Sequence, residues 1–196
     1  LYIPVRNIDL VNRYSGAGSG EAPLHKLGSG QWEKVCRKAK SRITDVAAEI
    51  LEIYAKREMQ SGRIISANDD SYSVFSDQFD YEETVDQESA IQEVINDLQS
   101  GKPMDRLICG DVGFGKTEVA MRAIFLAVNS GYQVAVLVPT TLLARQHYET
   151  FCTRFSGWPI NIAKLSRLQS RTVASDVRND IAVGAVDVVV GTQKLL

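Results

Sequence analysis

Hydrophobic positions change their period along this chain. Between 31 and 60, Val35, Ala39, Ile43, Val46, Ala47, Ile50 and Tyr54 recur mostly three or four apart, which predicts one long amphipathic helix. Its first half is basic (Lys34, Arg37, Lys38, Lys40, Arg42) and its second half more acidic (Asp45, Glu49, Glu52). The basic cluster is better read as a solvated helix face than as a direct nucleic-acid contact, the alternative it offers. Ser61-Gly62 predicts the end of that helix, and Asn68-Asp69-Asp70-Ser71 predicts a loop. Ahead of the helix, Leu1-Tyr2-Ile3-Pro4-Val5 suits an edge strand, and the Gly- and Ser-rich stretch 15–30 reads as a flexible connection.

A second helical period follows, with Ile91, Val94, Ile95 and Leu98 on one face. Thr84 and Gln87 stand three apart at its start, the spacing of a capping box, and Gly101 and Pro103 mark its end. From 104 onward, short apolar runs alternate with helical ones. Strands are predicted at 104–109, 133–138, 160–165 and 187–191. Helices are predicted after the first strand, ending at Asn129-Ser130-Gly131, then over 143–155 and 171–183. Tyr148, Phe151, Cys152 and Phe155 share one side of the first of these last two, and Val173, Val177 and Ile181 are the expected inward positions of the second. Such alternation implies a parallel sheet with helices on both faces, an α/β fold.

Between the strand at 104–109 and its helix lies Gly110-Asp111-Val112-Gly113-Phe114-Gly115-Lys116-Thr117. This is the G-x-x-x-x-G-K-T spacing of a phosphate-binding P-loop. The glycines let successive backbone N–H groups turn inward toward phosphate oxygens. The Lys116 ammonium reaches the β and γ phosphates, and the Thr117 hydroxyl suits Mg²⁺. The following helix adds its positive N-terminal end. Strand, loop and helix together form the context that gives the motif its meaning.

Composition narrows the class only slightly. The 196 residues are 44% hydrophobic and 23% charged, with a net charge of −2. That is ordinary globular composition, and any surface for nucleic acid must be a local patch. Cys36, Cys109 and Cys152 are scattered and suggest neither zinc nor a disulfide framework, so a reducing intracellular setting is the default expectation. No apolar run approaches membrane-spanning length, so no membrane partner is expected. Both ends read as cut from a longer polypeptide.

Two further segments sit at strand ends: Pro139-Thr140-Thr141-Leu142-Leu143-Ala144-Arg145-Gln146-His147 and Gly191-Thr192-Gln193-Lys194-Leu195-Leu196. Both offer small hydroxyls and helix-start amides on the edge where parallel α/β sheets bind ligands. Such groups suit sugar-phosphate contacts without base readout. Together with the P-loop they resemble motifs I, Ia and Ib of superfamily 2 helicases, which have a RecA-like fold. The stretch 104–123 is more specific and resembles the bacterial transcription-repair coupling factors. RecG, a related fork-remodelling helicase, usually has a smaller residue where Phe114 stands. Leu1 to Val5, Arg13-Tyr14, Ala22 to Gly28 and Trp32 are similar to the end of that family's RNA-polymerase-interaction domain.

The resemblance implies residues 1–28 as the tail of that small β domain with its linker, 29–62 as a relay helix, and 63–196 as part of a first RecA-like motor lobe. It implies an ATP- and Mg²⁺-dependent translocase on double-stranded DNA in the bacterial cytoplasm, which displaces stalled RNA polymerase and recruits excision repair through UvrA. Lys116 and Thr117 would be catalytic, and Gly110, Asp111, Val112, Gly113, Phe114 and Gly115 would complete the nucleotide site. Phe79 and Gln87 match the adenine-recognition element, although Gln87 equally suits the capping box and Phe79 a plain core. Thr140, Arg145, Arg167 and Thr192 would contact DNA, with a solvated arginine and structural turns as the ordinary alternatives. Gln193 stands where many members have His. No apolar strand ends in an Asp-Glu pair. Hydrolysis needs such carboxylates, so these residues alone are expected neither to hydrolyse ATP nor to translocate. The alternatives are a RecG-like fork enzyme and a binding module with a structural P-loop.

Overall fold

The structure, a computed structural model, describes residues 3–11, 29–66 and 70–195. The chain divides into two units, 1–55 and 56–196. In the first, Val5–Leu10 forms a 3₁₀ helix entered through Pro4, whose φ of −56° already suits a helical turn. The edge strand expected over 1–5 is therefore not formed by its described residues. The connection over 15–30 lies outside the described residues up to 28. Helix α1, Gln31–Glu58, is the long predicted helix and buries none of its side chains. It stops slightly before the Ser61-Gly62 signal.

The second unit holds the sheet. Strands β1 (Val134–Leu137), β2 (Ile162–Leu165) and β3 (Val188–Gly191) are all parallel, in the order β1-β3-β2. The central place of β3 matches its Val188-Val189-Val190 run, since a strand with neighbours on both edges and helices on both faces needs apolar side chains throughout. Leu137, Gly191 and Leu165 are in register, so the three strands end at one level.

Helices α2 (Asp70–Asp77), α4 (Lys116–Asn129) and α5 (Thr141–Arg154) cover one face, where Phe75, Phe125, Phe151 and Phe155 pack with Val188 and Val190. Helix α6 (Arg171–Ala182) covers the other through Ala174, against Leu165 and Val189. Helix α3 (Val85–Gln99) packs Ile91, Val94 and Ile95 against Val119 and Leu126 of α4. The helix ends follow local chemistry. Thr140 Oγ1 accepts from Leu143 N at 3.2 Å, and Ser170 Oγ from Val173 N at 3.3 Å. At the end of α4, Tyr132 N donates to Ala127 O at 3.0 Å and Gly131 N to Val128 O at 2.8 Å, the paired bonds of a Schellman motif.

Three further sequence expectations need correction. The 104–109 segment forms no strand and joins no ladder among the described residues. Only Ile108 reaches a core, while Leu107 is 85% exposed. Its polar members are drawn sideways instead: Asp105 pairs with Arg57, and Arg106 pairs with Glu93 and, at 2.5 Å, Asp97. An apolar run becomes a strand only beside another strand, and β1 pairs with β3. The loop expected over 68–71 gives way, from Asp70 on, to α2, because Phe75 finds an aromatic pocket no local pattern announces. On α6, Val173 faces outward and Ala174 takes the inward position, where a small side chain allows close approach to the sheet.

Candidate nucleotide site

Local backbone geometry builds the phosphate loop. Gly113 and Gly115 have φ of +87° and +69°, in the left-handed region where other residues are strained. Gly115 is the N-cap of α4, so Lys116 and Thr117 open the helix with first-turn amides that have no intrahelical acceptor. Lys116 Nζ turns back over the loop and donates to Gly110 O at 2.5 Å and Asp111 O at 2.6 Å. Val112 and Phe114 are exposed at its tip. The loop therefore presents one ammonium group and a set of amides at the positive end of a 14-residue helix, an arrangement that suits a polyphosphate.

Gln87 joins two structures. Its Oε1 accepts from Thr84 N at 2.8 Å while Thr84 Oγ1 accepts from Gln87 N at 3.2 Å, so the predicted capping box is present. Its Nε2 also donates to Phe114 O at 2.9 Å, tying the start of α3 to the phosphate loop. A small cavity of ≈190 Å³ lies between them, lined by residues that include Gln87, Gly110, Phe114 and Lys116.

Phe79 lies elsewhere. Its ring meets Tyr81 edge-on at 5.5 Å and lines a cleft of ≈660 Å³ with Glu118 of α4 and Arg154 of α5. Beneath this cleft is a buried ionic cluster that sequence reasoning missed. Glu118 Oε1 accepts from Arg122 at 2.7 Å and from Arg154 at 2.8 Å. Arg122 also bonds Ser76 and Glu83, and Arg154 reaches Phe75 O at 2.8 Å. Burial disfavours the Arg122 charge, but bonds to Glu118 and Tyr72 outweigh it and raise its pKa above the ordinary arginine value. The i,i+4 spacing of Glu118 and Arg122 was the available signal, but that spacing is common on solvated helix faces.

The residues expected at nucleic acid gather at the aligned strand ends. Pro139, Thr141, Arg167, Thr192 and Gln193 line one pocket of ≈180 Å³. Thr192 is buried there, and Thr140 uses its hydroxyl to cap α5. Arg145 stands one turn along α5, exposed and paired with Glu149 at 2.8 Å, and that bond raises its pKa.

A parallel α/β sheet with a P-loop sequence at a helix start and hydroxyl-bearing loops along one sheet edge is the arrangement of a helicase-type core. Residues 84–196 match the DEAD/DEAH box helicase family, and the chain belongs to that family. Over all 196 residues it is similar to the transcription-repair-coupling factors of Haemophilus influenzae (52% identical), Escherichia coli (49%) and Bacillus subtilis (46%). It spans 17% of the length of each. A solved structure of RecG bound to a three-way DNA junction is also similar, with a TM-score of 0.68 and 36% identity over 73% of this chain and 20% of that one.

Proposed function

We propose that this chain is the part of a bacterial transcription-repair coupling factor that carries the phosphate-binding half of its ATPase, within a cytoplasmic motor that moves on double-stranded DNA. The phosphate loop is the observation that carries this reading. Two left-handed glycines shape it, Lys116 closes it, and it leads directly into α4. Gly113, Gly115, Lys116 and Thr117 would hold the triphosphate of ATP, with Thr117 toward Mg²⁺, which offsets phosphate charge when bound. Gln87 and Phe79 would address the base, with Gln87 giving up a bond to Phe114 or Thr84 to do so. Thr140, Arg145, Arg167 and Thr192 would meet the DNA backbone, and the common level of the strand ends supports a single track for it. RNA polymerase and UvrA are the proposed protein partners, as expected of such a factor, with residues 1–28 as the end of the polymerase-docking domain and 29–62 as the connecting helix.

A full-length polypeptide containing these residues should hydrolyse ATP faster with duplex DNA and displace stalled RNA polymerase. Lys116→Ala should abolish both while polymerase pull-down persists. A wild-type protein that binds polymerase yet ignores ATP would refute the proposal. The likeness to RecG supports a second reading as a fork-acting helicase, and the absence of polymerase capture by the wild type would favour it.

A further inference from the structure

We infer that Arg122, fixed by Glu118, is a positioning residue for base recognition: it holds the segment carrying Phe79 at a set place relative to the phosphate loop. This rests on the nucleotide-binding reading above and adds a specific device to it. Segment 78–83 connects α2 to the Thr84 cap of α3. Its backbone ties are local at its start, where Gln78 N reaches Val74 O at 3.2 Å and Phe79 N reaches Ser76 O at 3.0 Å. The long-range hold on it comes from side chains. Arg122 bonds Ser76 just before the segment and Glu83 at its end, so one guanidinium grips both flanks. The Phe79 ring lies between, 5.8 Å from the Arg122 guanidinium and 5.9 Å from that of Arg154.

Arg122 is itself held from below. Its side chain is 3% exposed, Glu118 binds it at 2.7 Å, and Arg154 shares the same carboxylate. Glu118 lies in the first turn of α4, whose opening residues are Lys116 and Thr117. The path from phosphate loop to Phe79 is therefore one rigid helical stretch and one forked ionic contact. A guanidinium suits this task because its planar fork makes several directed bonds at once, which an ammonium on a flexible stem does not. Arg122 and Glu83 lie beyond the phosphate loop itself, Arg122 six residues past Lys116 on α4, so loosening their bond should affect the base end of a nucleotide and spare the phosphate end.

The test uses the full-length protein, titrated calorimetrically with ATP and, separately, with inorganic tripolyphosphate, both with Mg²⁺. Glu83→Gln is the main variant, because the Glu83 side chain is 32% exposed and its neutral form keeps the shape. ATP should bind about tenfold more weakly, the loss expected when one charge-assisted bond is weakened, with tripolyphosphate unchanged. Arg122→Lys, which keeps charge without the fork, should shift the same ratio in the same direction. If Arg122→Lys does not fold, Glu83→Gln decides alone. Equal weakening of both ligands, or no change in either, would overturn the inference. A wild-type protein that binds neither ligand would sink the nucleotide-binding reading and this inference with it.

Discussion

Replacing Gly115 with alanine tests the local geometry more sharply than deleting the lysine. Two costs are expected. The first is backbone: at φ +69° an alanine is strained by about 1–2 kcal/mol. The second is steric, since a Cβ at Gly115 would lie 2.3 Å from Gln87 Nε2. That atom ends a flexible side chain, so the side chain swings away and its bonds to Phe114 O and Thr84 N are lost. Each such bond contributes about 0.5–1.5 kcal/mol net. Gly115→Ala should therefore cost about 2–5 kcal/mol in all. Gly113→Ala supplies the control, because its φ is +87° but nothing lies within 4 Å of its Cβ, leaving only the backbone cost. Native-state hydrogen exchange at the first amides of α3 reads the local part directly, and urea unfolding reads the total. In a Gln87→Ala background the excess cost of Gly115→Ala over Gly113→Ala should vanish. Equal costs for the two glycines, or an excess that survives without Gln87, would refute the reasoning.

Two further outcomes follow from packing and charge. Phe75 is fully buried, stacked 4.3 Å from Phe125 and capped by the Arg154 guanidinium at 3.8 Å, so Phe75→Ala should destabilise the sheet unit by about 3–5 kcal/mol, measurable as a lowered urea midpoint. Asp97 has a depressed pKa because Arg106 bonds it at 2.5 Å. The resulting stabilisation should be complete above the unfolded value of about 3.9 and be lost as pH falls through the lower folded value, a slope in acid unfolding curves that Asp97→Asn should remove.

The alternating part of the fold was legible because each element there is set locally. Val188-Val189-Val190 reads as a covered strand, and Thr84 with Gln87 announces the helix it caps. The phosphate loop was legible for the same reason, since its shape lies in two glycines and a lysine. What escaped was non-local. Helix α2 exists because Phe75 meets Phe125, Phe155 and Trp158, which lie fifty or more residues away in the chain. The apolar run at 104–109 looked like a strand because a sequence shows side chains and not whether a ladder partner stands beside them. Glu118, Arg122 and Arg154 drew no reading, because the contacts that α2 brings to Arg122 and Arg154 come from 46 and 79 residues away in the chain. Gln87 offered two uses on paper, and the structure shows its amide serving the cap and the loop together.

The inward curl of Lys116 makes the mouth of the loop a place of exchange. Its ammonium already has two neutral carbonyl oxygens, Gly110 O and Asp111 O, so an incoming anion competes with them for its three N–H donors. Weakly charged visitors gain little by that trade, whereas a polyanion offers charge-assisted acceptors about twice as strong. If the loop holds phosphate as proposed, this arrangement would favour guests of high charge density.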